Sequence, residues 1–144
     1  MDRLFTTVLG RVLQFCQTVP GASVPVGWYA ARVSNAYLTD DPTVLLLALL
    51  ADDSTVHGHC LAIVEEPYGR RTFWVYQTAI DPDVPQNMRR PIIREGLAIL
   101  QDYALKSNCV ALGMATAHPT RAMGRLFGFT KTVALLERPL GDAR

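Results

Sequence analysis

Asp81-Pro82-Asp83-Val84-Pro85 constrains this chain more than any other stretch, because two prolines in four residues can neither continue a strand ladder nor sit inside a helix. It separates two strongly patterned segments. Before it, Phe73, Trp74, Val75, Tyr76, Ala79 and Ile80 are β-forming or apolar and predict a strand. After it, Ile92, Ile93, Gly96, Leu97, Leu100, Tyr103 and Ala104 recur at helical spacing, with Arg90, Arg94, Glu95, Gln101, Asp102 and Lys106 opposite. This predicts a long helix ending near Asn108. A strand that delivers the chain through a tight turn to a helix N-terminus is a common geometry for holding an anion.

The remaining elements follow from the same periodicities. Leu4, Phe5, Val8, Leu9, Val12, Leu13 and Cys16 form one helical stripe opposite Arg3, Thr7, Arg11, Gln14 and Gln17. That stripe suits packing on a sheet; two basic residues on the polar face are too few for a membrane surface. After a Pro- and Gly-containing loop, a second helix is expected from about Val26 to Leu38. Val44–Ala51 is continuously apolar, as a strand covered on both faces would be. Turns at Asp52-Asp53-Ser54 and Pro67–Arg70 bracket a strand over Thr55–Glu65 and introduce another over Arg71–Ile80. Beyond the long helix come a strand over Val110–Thr116, a short helix over Thr120–Leu126 stopped by Gly128, and a strand over Thr130–Glu137. Tight hairpins make the early strands antiparallel, and the helical crossover makes its flanking strands parallel. The expected class is α/β, a single domain over 1–144 with a central mixed antiparallel and parallel sheet and helices on both faces.

Composition limits the functions available. A formal net charge of +1 argues against a nucleic-acid binder. Cys16, Cys60 and Cys109 are widely spaced and odd in number, which suits buried free thiols rather than a disulfide framework. Asp2, Arg3 and Arg11 interrupt the one candidate leader, and the longest apolar run is too short for a bilayer. A cytoplasmic protein without membrane association is expected.

Three groups of residues carry possible chemistry. Arg89, Arg90 and Arg94 cluster in the first turns of the long helix, where the macrodipole favours anions, and arginine suits a phosphate or an acidic protein surface. His57 and His59 lie two apart on a strand and so share a face, while Cys60 turns to the other. Either imidazole suits deprotonation of an amine, and Glu65 at the strand end is a further candidate base. With His118 the two histidines would make a three-histidine metal site, but no ligand spacing completes one, and no metal is expected.

The element order, above all from Trp74 to Leu140, resembles the acyl-CoA N-acyltransferase superfamily, the GNAT fold. Ala79-Ile80-Asp81-Pro82 is similar to that family's strand end, Tyr103-Ala104 to the middle of its long helix, and Arg125-Leu126-Phe127-Gly128-Phe129 to its closing signature. The family's first strand has no counterpart here. The resemblance implies a bulged strand and a helix N-terminus that binds the pyrophosphate of coenzyme A. The family's loop, Arg or Gln, two residues, Gly, one residue, Gly or Ala, falls on Met88, Pro91 and Ile93, and its general-acid tyrosine on Gly124. Proline has no N–H to offer a phosphate. The chain therefore looks like a degenerate member, similar to GNAT-like proteins of bacteriophage particles. The first expectation is a non-catalytic structural or interaction component, cytoplasmic or in a virion, without a cofactor. It would contact other protein subunits through Leu4, Phe5, Val8, Leu9 and Val12 together with Trp28, Tyr29 and Tyr37. The alternative is an N-acetyltransferase that uses acetyl-CoA through a non-standard site, with Arg89, Arg90 and Arg94 on the phosphates and His57, His59 or Glu65 as base.

Overall fold

The amphipathic stripe at the start of the chain becomes α1 (Arg3–Thr18), which buries Leu9, Val12, Phe15 and Cys16. The computed structural model describes residues 3–18, 24–53, 55–114 and 128. The chain divides into two compact units, Met1–Met114 and Ala115–Arg144, and every described helix and strand lies in the first. Pro25, its φ held at −58°, pre-sets the entry to α2 (Val26–Leu38). Next come three strands, β1 (Val44–Leu50), β2 (Val56–Glu65) and β3 (Thr72–Ile80), then α3 (Gln86–Lys106) and β4 (Ala111–Met114). The sheet order is β1-β2-β3-β4, antiparallel at the first two pairings and parallel between β3 and β4.

Helices cover both faces, each over its own core. On one face α1 and α2 pack on Val56, Leu61 and Ile63 of β2. On the other, Leu100 and Ala104 of α3 pack on Cys60, Ala62, Phe73 and Val75. Cys16, Cys60 and Cys109 are all buried and free, as their spacing suggests. No helix among the described residues is long and apolar enough to cross a membrane.

Two bulges break the alternation of the sheet. Leu49 lies opposite Gly58 but Leu50 opposite Val56, so His57 is an extra residue in β2. Leu61 lies opposite Gln77 but Ala62 opposite Val75, so Tyr76 is an extra residue in β3. The second bulge changes which residues face which helix. Before it Phe73 and Val75 point to α3, and after it Ala79 joins the core under α1 and α2.

Several expectations are corrected. β1 is an edge strand among the described residues, so its apolar run is half-buried rather than covered, and Leu50 is 40% exposed. α3 begins at Gln86, immediately after Pro85, which places Met88, Pro91 and Ile93 within the helix and not in a loop before it. Of the surface expected to meet other subunits, Leu9, Val12 and Tyr29 are buried in this chain's own core. Phe5 stacks on Tyr37 with ring centroids 3.8 Å apart. The helix and strand expected over Thr120–Glu137 lie outside the described residues, apart from Gly128 with φ +75°.

Gly113 in β4 sits opposite Trp74, and a Cβ there would come within 2.6 Å of the indole. Gly113→Ala is therefore expected to displace Trp74 and lower stability by about 1–3 kcal/mol. A urea titration followed by tryptophan fluorescence measures this, and an unchanged midpoint would count against the tight packing.

Candidate active site

Asp81, the first residue after β3, ties the turn together. Its backbone N–H donates to the His57 carbonyl at 2.7 Å, which joins the end of β3 to the bulge in β2. Its carbonyl accepts from the Val84 N–H and from the Arg89 guanidinium at 3.1 Å. One carboxylate oxygen accepts the Asp83 N–H at 2.9 Å, and the other lies 3.5 Å from His57 Nδ1. An aspartate followed by proline is disposed to this kind of turn because its short carboxylate reaches the backbone two residues on.

The bulges separate the histidines that strand alternation would put together. His57 is displaced to the sheet end beside Asp81, with its side chain 38% exposed. His59 is 4% exposed beneath α1 and α2, where Nδ1 lies 3.0 Å from the Tyr29 hydroxyl and Nε2 3.4 Å from Cys16 Sγ. Gln77 extends the same network, donating to Cys16 Sγ at 3.2 Å while its carbonyl accepts the Val24 N–H at 3.1 Å. Burial pushes the His59 pKa down to about 4 and pushes the Cys16 thiol and the Tyr29 hydroxyl up. Both ring nitrogens of His59 are thus engaged inside the core. His118 lies outside the described residues, and no group of three metal-ligating side chains forms among those described.

Glu65 accepts a hydrogen bond from the Tyr76 hydroxyl at 2.9 Å, and Tyr76 also packs on Trp28 with centroids 5.2 Å apart. Burial, then the neighbouring carboxylate, pushes the Tyr76 hydroxyl up to about 12. A lone tyrosine in a strand gives the sequence no sign of the bulge that Tyr76 makes.

The three arginines do not act as one cluster. Arg89 folds back onto the turn and donates to the Val84 carbonyl at 3.2 Å as well as to that of Asp81. Arg90 and Arg94 are exposed. The start of α3 itself fits an anion. Its first turn carries no acidic residue and no side-chain cap, and Met88 N–H bonds to the Pro85 carbonyl. The N–H groups of Gln86 and Asn87 have no partner among the described residues. Pro91 lies beyond this first turn, so its missing N–H deprives the Asn87 carbonyl of a donor and takes nothing from the helix start.

Beside the turn lies a cleft of about 670 Å³, lined by Arg11, Gln14, Phe15 and Thr18 of α1, by Asp53, Thr55 and Val56, and by Asp81, Pro82 and Asp83. Asp53, Asp81 and Asp83 line it together with Arg11, whose guanidinium donates to the Asp53 carbonyl at 3.1 Å. Hydrogen bonds from Thr55 hold the Asp53 carboxyl below its usual range. Asp81 links this cleft to His57.

No family model matches the sequence, and no curated protein gives a significant match. Solved structures do. A Trypanosoma brucei acetyltransferase superposes with a TM-score of 0.65 at 12% identity, over 93% of this chain and 94% of that one. The aminoglycoside N-acetyltransferase AAC(6')-Iy, solved in complex with CoA, gives a TM-score of 0.69 at 15% identity, over 94% and 90%. Glucosamine-6-phosphate N-acetyltransferase from Arabidopsis thaliana gives 0.60 at 11% identity, over 94% and 88%. The chain has the acyl-CoA N-acyltransferase fold. A likeness to phage virion proteins finds no support among these neighbours.

Proposed function

We propose that this protein is an acyl-CoA-dependent N-acetyltransferase that acts on a cationic amine. The observation that carries this reading is the meeting, at one turn, of an acid-free helix start with a His57–Asp81 pair at the edge of an acidic cleft. Acetyltransferase neighbours that span nearly the whole chain in both directions support it, and one of them was solved with CoA.

The N–H groups of Gln86 and Asn87 would hold phosphate oxygens of the cofactor, with Arg90 and Arg94 adding positive charge. Acetyl-CoA would supply the activated acyl group. Asp53, Asp81 and Asp83 attract and orient a protonated amine in the cleft. His57 holds Nδ1 toward Asp81, which leaves Nε2 to take the proton from the amine. Arg89 fixes the turn that carries Asp81.

Titration calorimetry with acetyl-CoA tests the cofactor site, and release of free thiol in the presence of primary amines tests the reaction. Micromolar binding is expected, weakened at least about tenfold in Arg90→Ala/Arg94→Ala. No heat at millimolar acetyl-CoA would remove the proposal and return the chain to the scaffold reading.

A further inference from the structure

We propose that the edge of β1, which no strand among the described residues covers, is a dimer interface, at which two copies of this chain pair antiparallel about a twofold axis at Leu47. This does not depend on the acetyltransferase reading.

The pairing of β1 with β2 fixes which backbone groups are open. The Val64 N–H donates to the Thr43 carbonyl at 2.8 Å, so Leu45, Leu47 and Leu49 bond inward by alternation. Val44, Leu46, Ala48 and Leu50 therefore direct their N–H and C=O groups away from β2. Among the described residues no strand pairs with that edge. The strand reads VLLLALL, with no charge and no proline, so the usual devices that blunt an edge are absent.

The edge is complementary to itself. With the axis at Leu47, Val44 meets Leu50 of the second copy and Leu46 meets Ala48, so each outward-bonding residue faces another. An axis at Leu46 or at Ala48 leaves one end of the strand unmatched. Side chains agree with this register. A cleft of about 350 Å³ runs beside the edge, lined by Phe5, Val33, Ala36, Tyr37, Val44 and Leu46, together with two aspartates. Leu50 is 40% exposed and lies on the same face as Val44, so the register places Leu50 of the second copy at that cleft. Hole and knob occupy opposite ends of one strand, and a twofold axis brings each to the other.

Sedimentation velocity across a concentration series, with amide hydrogen exchange on the same samples, tests this. The expected result is a dimer of 15.9 kDa chains in which the Leu46 and Ala48 amides exchange more slowly as the protein is concentrated. Leu50→Glu, at a position exposed in the single chain, should weaken association at least about tenfold, with an unchanged melting temperature at concentrations low enough for both proteins to be monomeric. Ala48→Pro, which removes an outward N–H from the edge, should also weaken association. A monomer at every concentration would overturn the proposal. So would a dimer indifferent to both variants, one whose edge amides exchange as in the monomer, or an edge that binds a different protein instead of a second copy.

Discussion

Replacing His57 with alanine is expected to lower the rate of amine acetylation by about 10²–10⁴-fold, the usual contribution of a positioned general base. Acetyl-CoA affinity should not change, because the groups that would hold its phosphates lie on α3. The reason lies in how the site is built. His57 is the extra residue of a bulge, its carbonyl is fixed by the Asp81 N–H, and its Nδ1 lies 3.5 Å from the Asp81 carboxylate. Asp81→Asn keeps the shape and the turn but removes the charge that orients the ring, so it should slow the reaction less than His57→Ala. Steady-state rates at saturating acetyl-CoA measure both. Full activity in His57→Ala would take the base role away from this pair.

Acidification from pH 7 to pH 4 should remove about 3 kcal/mol of folding stability through His59 alone. In the unfolded chain this histidine takes up a proton near pH 6.5, but in the folded chain burial delays uptake until about 4. Stability therefore falls as pH drops through that window and levels off below it as far as this group is concerned. His59→Leu should begin less stable, because the Tyr29 hydroxyl loses its partner, at about 1–3 kcal/mol. Its decline between pH 7 and 4 should nevertheless be about 3 kcal/mol shallower. Urea midpoints at several pH values give both slopes. Equal slopes in the two proteins would mean that His59 is not the group being titrated.

The helices and strands of Met1–Met114 were largely legible in the residues. Hydrophobic period located α1, α2 and the three hairpin strands within a residue or two, and the crossover rule gave the parallel pairing of β3 with β4. The site was harder to read, for a physical reason. Strand alternation put His57 and His59 on one face, and a bulge is an added residue that alternation cannot detect. The start at Gln86 agrees with arginines in the first turns, but it displaces the positions of the family's loop, Met88, Pro91 and Ile93, into the helix. That displacement also changed the functional reading. With Pro91 inside the helix, its missing N–H takes nothing from the helix start, so the lack of glycines at Met88, Pro91 and Ile93 leaves the proposed anion site open to test. The carboxylates of the cleft come from two separate turns, at Asp53 and at Asp81–Asp83, and no linear spacing connects them.

The extra residue at Tyr76 gives β3 two phases. Before it the odd-numbered Phe73, stacked on Tyr103, and Val75 face the layer under α3; after it the odd-numbered Gln77 and Ala79 face the layer under α1 and α2. One strand is in this way spliced between two cores, and the splice lies between the part that anchors the sheet and the part that leads into the turn. A substitution at Phe73 or Val75 perturbs the packing of the long helix. A substitution at Gln77 instead perturbs the buried histidine network, although all three positions fall on a single continuous strand.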